Sequence, residues 1–241
     1  MTDLATYSRS GPVGTIVIDD GKANVMSLKM LNALHAAFDQ AEQDKTVVVL
    51  KARGKHFSGG FDLNLFAKGT AEEQYLMLKA GAELALRILS FPTPVVAACQ
   101  GNAYPMGAFL IMSSDHRIAA EGDYRIGMNE VAIGLTVPRF AIEIARQRLT
   151  PAYFSRVVMT AEMFGPAEAV TAGFFDRVVA PDALERSAEE AAQKLATLNM
   201  AAHAATKARA RGAVIGMIRT MIDEDITPQY GEDRVARRAS A

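Results

Sequence analysis

Three short stretches carry the residue types from which a reaction site could be built. Two are glycine turns that each follow an apolar run: Gly54-Lys55-His56-Phe57-Ser58-Gly59-Gly60-Phe61-Asp62-Leu63 and Gly101-Asn102-Ala103-Tyr104-Pro105-Met106-Gly107-Ala108. Adjacent glycines let the backbone turn sharply and let a ligand approach an amide closely. Amides at a helix start lack intrahelical partners. Two of them aimed at one point would stabilise negative charge on an oxygen. The same glycines would serve ordinary strand-to-helix turns equally well. The third stretch is Ile126-Gly127-Met128-Asn129-Glu130-Val131-Ala132-Ile133-Gly134-Leu135, where Glu130 has apolar neighbours on both sides. That pattern predicts a buried segment, and a carboxylate there is costly unless paired or used. Desolvation favours its protonated form and brings it toward the range useful for proton transfer. A buried carboxylate that caps a backbone turn would look the same in sequence.

Other chemistries find less support. Ser58 is not in a G-x-S-x-G elbow, and a triad of Ser58, His56 and Asp115 has the composition but no supporting spacing. Neither G-x-x-x-x-G-K-[ST] nor G-x-G-x-x-G occurs, so nucleotide loops and a nicotinamide cofactor are not expected. His35, His56, His116 and His203 are scattered and Cys99 is the single cysteine, so no metal site and no internal disulfide are expected. Asp115-His116 has the look of a structural turn, and His35 that of a packed or rim residue. With 26 basic and 27 acidic residues the net charge is −1, which argues against a nucleic-acid partner. The most apolar stretch, Thr93 to Met112, is broken by Gln100, Gly101, Asn102 and Pro105, so no membrane helix is expected. No secretory signal opens the chain, and a cytoplasmic location is the expectation.

The elements that must position these residues follow from periodicity. A chain of 241 residues, 50% hydrophobic and 22% charged, suits one large globular domain or one with a small appendage. Thr15 to Ile18 predicts a strand ending in the Asp19-Asp20-Gly21 turn. Leu31, Leu34, Phe38 and Ala41 line one helical face behind Ser27 as N-cap. Thr46 to Leu50 and Val95 to Cys99 have the continuous apolar character of strands covered on both faces. Thr70-Ala71-Glu72-Glu73 has capping-box spacing and predicts a helix to about Leu89. Pro105 opens a short helix to about Ser113. Strands are expected at His116 to Ala120, Tyr124 to Met128 and Phe174 to Val179. Helices are expected over Pro138 to Leu149, from Thr150-Pro151, from Gly165-Pro166 to Gly173, over Pro181 to Asn199 and over Met200 to Asp225. The charged stretch Asp233 to Ala241 is expected to fray. Strand–helix–strand order points to an α/β fold with a helical C-terminal layer.

Several motifs in collinear order carry a resemblance. They are Ala23-Asn24-Val25-Met26-Ser27, the turn Phe57-Ser58-Gly59-Gly60-Phe61-Asp62-Leu63, the Gly101 to Gly107 turn, Asp115-His116-Arg117-Ile118 and Glu130-Val131-Ala132-Ile133-Gly134. Gly165-Pro166-Ala167-Glu168-Ala169 to Gly173, then Asp176-Arg177-Val178-Val179, complete the series. In these the chain resembles the crotonase superfamily, also called the enoyl-CoA hydratase/isomerase family, over nearly its whole length. The resemblance implies an α/β spiral of ββα turns over residues 1–195. It implies a helical region over 196–241 that covers the site and serves trimerisation, as a homotrimer or a dimer of trimers. It implies an acyl-CoA substrate in fatty-acyl-CoA metabolism, with CoA part of that substrate and no separate cofactor. By position, the amides of Gly59 and Gly107 would hold the thioester oxygen. Ala23, Val25, Gly60, Phe61, Asp62, Leu63 and Phe109 would lie along the substrate cleft, and Glu130 would be the acid/base.

The departures from the family pattern bear on the reaction. A typical hydratase sets two glutamates around one water, and the place of one of them is Phe109 here. A single carboxylate suffices to move a proton between two carbons. Ile126 to Glu130 and Pro105 also resemble the family's Δ3,Δ2-enoyl-CoA isomerases, so isomerisation is favoured over hydration. A non-catalytic acyl-CoA-binding paralogue is the reading from another class. Ile215, Ile218 and Ile222, at helical spacings of 3 and 4, suit either self-association or packing within one subunit.

Overall fold

The computed structural model describes residues 4–229. Strands β1 (Ala5–Ser10), β2 (Val13–Ile18), β3 (Val47–Ala52), β5 (Val95–Cys99), β7 (His116–Ala120) and β8 (Arg177–Val179) form a six-stranded sheet in the order β1-β2-β3-β5-β7-β8. Only β1 and β2 pair antiparallel; every later pairing in this sheet is parallel. A second, two-stranded sheet joins β4 (His56–Ser58) to β6 (Asn102–Ala103), again in parallel. Each winding of the chain thus leaves a short strand beside the main one, and the glycine turns lie on these short strands.

Both faces of the main sheet are covered, as the apolar runs require. On β3, Val48 and Leu50 enter one core, while Val47 and Val49 enter another. The larger core receives α1 (Leu28–Gln43), α3 (Ala71–Ser90), α4 (Pro105–Ser113) and α5 (Arg139–Arg148). On the opposite face Leu184, Ala188 and Ala192 of α8 (Leu184–Ala196) cover Val96, Ala98 and Ile118. The helix starts follow the predicted caps. Ser27 accepts from the Met30 amide, and Thr70 with Glu73 closes a full capping box. Pro151 and Pro166 occupy first turns of α6 (Pro151–Val158) and α7 (Pro166–Ala172).

Some elements differ from the sequence pattern. Strand β1 was not signalled, because an edge strand of sequence ATYSRS with its outer half exposed lacks an apolar alternation. Tyr124 to Met128 is no regular strand. Ile126 alone bridges Ala103 on one side and Phe164 on the other, and Gly127 packs so tightly on Met163 that a Cβ would come within 2.6 Å of its sulfur. Phe174 and Phe175 are buried under the sheet, so β8 begins only at Arg177. Pro181–Ala183 is a separate 3-10 turn before α8. The stretch Asp233 to Ala241 lies outside the described residues. Among those described, no helix is long and apolar enough to cross a membrane, and no group of His, Cys, Asp and Glu could hold a metal ion.

Helix α9 (Met200–Asp225) lies against α3 and α5. Val214, Ile218 and Ile222 point into the larger core, with Ile215 partly buried beside them. The isoleucine spacing is therefore the inward stripe of one subunit and offers no support for self-association. A buried ion cluster pins the same helix. The Asp115 carboxylate takes Lys207 Nζ at 2.7 Å, Arg211 Nη1 at 3.0 Å and the Val95 amide at 2.9 Å. Lys207 also donates to Phe91 O at 2.8 Å, and Arg211 to Leu89 O at 2.9 Å, both at the end of α3. Removing one member of a buried pair strands the other. Asp115→Ala is expected to lower the unfolding free energy by about 3–5 kcal/mol in urea titration. A loss below about 1 kcal/mol, the worth of an exposed pair, would mean that apolar burial alone holds α9.

Candidate active site

A cavity of about 430 Å³ opens between the two glycine turns, α3 and the segment after β7. Its wall includes Ala23, Val25, Gly59, Gly60 and Phe61. Asp62, Leu63, Phe109 and Glu130 complete the set expected from sequence, with the exception of Gly107. Gly107 lies behind the wall, where an added Cβ would come within 2.8 Å of Ser58 Cβ. His56, Leu78, Tyr104, Asn129, Leu135 and Thr136 also line the cavity. His56 and Tyr104 fall inside the glycine turns and Asn129 adjoins Glu130, so proximity in sequence could have found them. Leu78 lies on α3 and nothing in its local pattern distinguishes it from other core positions.

Polar bonds hold the loops together where regular structure is sparse. The Asp20 carboxylate accepts from the amides of Lys22, Asn24 and Val25 at 2.7, 2.8 and 2.9 Å. Burial pushes its pKa up, but these amides and the Lys22 charge outweigh it and hold the group below the usual carboxylate range. Asn24, in the left-handed region at φ 53°, donates to Arg53 O and His56 O at 2.9 and 2.7 Å. Ser58 Oγ donates to Asn24 O at 2.8 Å. That use, and the engagement of Asp115 with Lys207 and Arg211, disposes of the Ser58–His56–Asp115 triad. The second turn joins the first through the Tyr104 amide, which donates to Ser58 O at 3.0 Å.

An accounting of amides revises the expected donors. The Gly59 N–H donates to Ala23 O at 2.8 Å, and the Gly60 N–H to Ser58 Oγ at 3.1 Å. Gly59 is thus committed within the chain and does not present a free donor, contrary to the positional expectation. Gly60, at φ 86°, turns the chain so that the next amide, that of Phe61, has no acceptor among the described residues. Gly107, in the first turn of α4, likewise has none, as helix starts require.

Glu130 is 7% exposed and its Oε2 has no hydrogen-bond partner. Burial pushes its pKa up to about 7. Its backbone carbonyl accepts from the amides of Ile133 and Leu135 at 3.0 and 2.8 Å, closing a 3-10 turn, Val131–Ile133. Only the half of the segment before Glu130 is buried as expected: Ile126 and Met128 are fully buried, while Val131 and Ile133 are 45% and 46% exposed. The turn faces outward while the carboxyl points in. The other carboxylate on the wall, Asp62, caps α2 (Leu63–Lys68) by accepting from the Asn64 amide at 2.9 Å. Phe109 is buried and packs edge-on against Phe140 at 5.8 Å.

The sequence profile of the enoyl-CoA hydratase/isomerase family matches residues 8–227. A crystal structure of a probable enoyl-CoA hydratase from Mycobacterium tuberculosis is 44% identical, with a TM-score of 0.89 over 92% of this chain and 94% of that one. A structure described as an enoyl-CoA isomerase from the same organism is 43% identical, with a TM-score of 0.88 over 92% and 97%. A probable enoyl-CoA hydratase of Bacillus subtilis is 35% identical over 163 residues, 66% of this chain and 60% of that protein.

The raised pKa of Glu130 has a consequence for folding. From pH 4.5, the ordinary value, to about 7, the folded chain keeps a proton on Glu130 that the unfolded chain has released. Stability therefore falls as pH rises through that window. Glu130→Gln removes this contribution and is expected to stand about 2–3 kcal/mol above the parent at pH 8, with little difference at pH 4. Denaturant titrations at both pH values test it; equal stability at pH 8 would show the carboxyl to be solvated.

Proposed function

The chain belongs to the enoyl-CoA hydratase/isomerase family, the crotonase superfamily, and from that premise we propose that it isomerises 3-enoyl-CoA to 2-enoyl-CoA thioesters. Supporting this most directly is the buried Glu130 carboxyl, whose Oε2 has no hydrogen-bond partner, on the wall of an apolar cavity. Its carboxylate removes a proton from C2. The C2–H electrons form a C1–C2 double bond, and the thioester carbonyl electrons move to oxygen, giving a dienolate. The new Glu130 carboxyl then delivers that proton to C4. The oxygen's electrons return to the carbonyl, and the double bond settles between C2 and C3. The amides of Phe61 and Gly107, in place of the Gly59–Gly107 pair expected by position, are the donors assigned to the oxygen: both lack acceptors among the described residues, as does the Met106 amide, and Gly107 is the position that the family resemblance gives. Fixed donors of this kind act where charge develops. Ala23, Val25 and His56, which share the cavity wall, are assigned to the CoA arm.

Hydration is the second reading. Asn129, Tyr104 and Thr136 share the wall with Glu130 and supply polar atoms that could hold a water. Against it stands the wall's carboxylate inventory: Asp62 is engaged as a helix cap, and the place of a second acid is the buried ring of Phe109. The family resemblance also carries the trimer into this proposal.

Separate assays of 3-enoyl-CoA and 2-enoyl-CoA decide between the readings, with isomerisation expected to dominate. Strong hydration without isomerisation would reverse the assignment, and thioester binding without any turnover would leave a binding protein. Glu130→Gln should cost about 10²–10⁴-fold in turnover with thioester affinity retained. Because the base must be ionised, kcat/KM should fall tenfold per pH unit below about 7. A flat profile there would remove Glu130 from the proton transfer. Gel filtration should give a species larger than 25.9 kDa at every concentration tested.

A further inference from the structure

Gly81 lies in the middle of α3, where glycine is a poor helix former and its conformational freedom has no use. Space explains it. A Cβ at this position would come within 2.5 Å of Phe61 Cε1, 2.6 Å of Phe61 Cζ and 3.2 Å of Met106 Sδ. The missing side chain is thus a notch in α3 that seats two residues from two different turns. Phe61 bears an acceptor-free amide, and Met106, whose own amide is also without an acceptor, directly precedes Gly107, which bears the second assigned donor. The Phe61 ring is held from its other side by an edge contact with Phe66 at 6.0 Å. The Gly60–Phe61 peptide is tied to α1's entry by the Met26 amide, which donates to Gly60 O at 2.8 Å. The ring is thus seated between the notch and Phe66, and its peptide is fixed to the entry of α1.

We infer that Gly81 is a positioning residue for the reaction: its notch sets where the Phe61 and Gly107 donors stand relative to each other. The inference rests on the donor pair proposed above. A methyl group at 81 displaces the tip of the Phe61 ring and crowds the Met106 sulfur, and so disturbs the pair without touching substrate. A displacement of about 1 Å at such a site costs on the order of 10²-fold in rate.

Two readouts separate positioning from mere structure. One is the split of kcat from KM with 3-enoyl-CoA. The other is the absorption maximum of an aryl-conjugated 2-enoyl-CoA bound to the protein, which moves to longer wavelength as donors draw electron density onto the thioester oxygen. Gly81→Ala is expected to lower kcat by about 10- to 100-fold, to leave KM within about twofold, and to shrink the red shift. Phe61→Leu, which empties the notch but keeps the amide, is expected to lower kcat and the red shift as well. The double variant G81A/F61L, with a methyl filling the space the ring has left, should recover much of both. Should Gly81→Ala fail to fold, Phe61→Leu against the double variant carries the same comparison. Wild-type kcat and red shift in the variants would overturn the inference. So would a raised KM with kcat retained, since the ring would then merely have swung into the cavity. A parent protein that neither turns over 3-enoyl-CoA nor shifts the chromophore would overturn the donor assignment itself, and this inference with it.

Discussion

A buried carboxyl group with one oxygen left unpaired is the constraint around which this molecule is arranged. Three other buried or half-buried acids are answered by donors. Asp20 has three loop amides, Asp115 has Lys207 and Arg211, and Asp176 has the Arg117 guanidinium and amide. Burial would raise the Asp20 and Asp176 pKa values, yet these donors bring both below the usual range. Glu130 shares the burial but has only its own backbone amide as a donor, so desolvation prevails. The result is an acid that changes protonation near neutral pH, at a cost in stability borne by the rest of the fold.

Holding such a group requires a rigid setting made from little regular structure. The loops at 19–25, 56–61 and 101–107 are joined by side chain-to-backbone bonds from Asp20, Asn24 and Ser58, and by the Tyr104 amide on Ser58 O. Their glycines act by absence. Gly101 lets Lys55 O come within 2.1 Å of where a Cβ would stand, and Gly107 does the same for Ser58. Once those bonds are made, most amides in the turns are consumed. Those of Phe61, Met106 and Gly107 are among the ones left over, which is how donors can remain in a network that satisfies most of its amides.

The framework behind the loops is conventional by comparison. A parallel sheet covered on both faces supplies stiffness, and α9 closes the larger core with Ile218 and Ile222 while its cations seat on Asp115. The Arg139 guanidinium reaches Asp225 and Glu224, so the N-terminal end of α5, one residue past the cavity wall at Pro138, is tied to the end of α9. Packing of the C-terminal helix and the shape of the cavity are thus mechanically connected.

Local patterns settled much of this in advance. Caps at Ser27 and Thr70, prolines at 105, 151 and 166, and the runs at 47–50 and 95–99 are short-range signals, and the chain obeys them because they depend on neighbours within one turn or one strand. The same holds for the presence of Glu130 in an apolar stretch and of glycines after two strands. Three things were beyond the sequence. The edge strand β1 exists because β2 offers it a partner. Which amide of 59–61 stays free depends on Ala23 and Ser58 occupying the other two. And the outward turn at 131–133 with its inward carboxyl depends on the cavity that α3 and the glycine turns enclose. Each is decided by groups far apart in the chain, and a hydrogen bond or a desolvated acid is defined only once those groups are brought together.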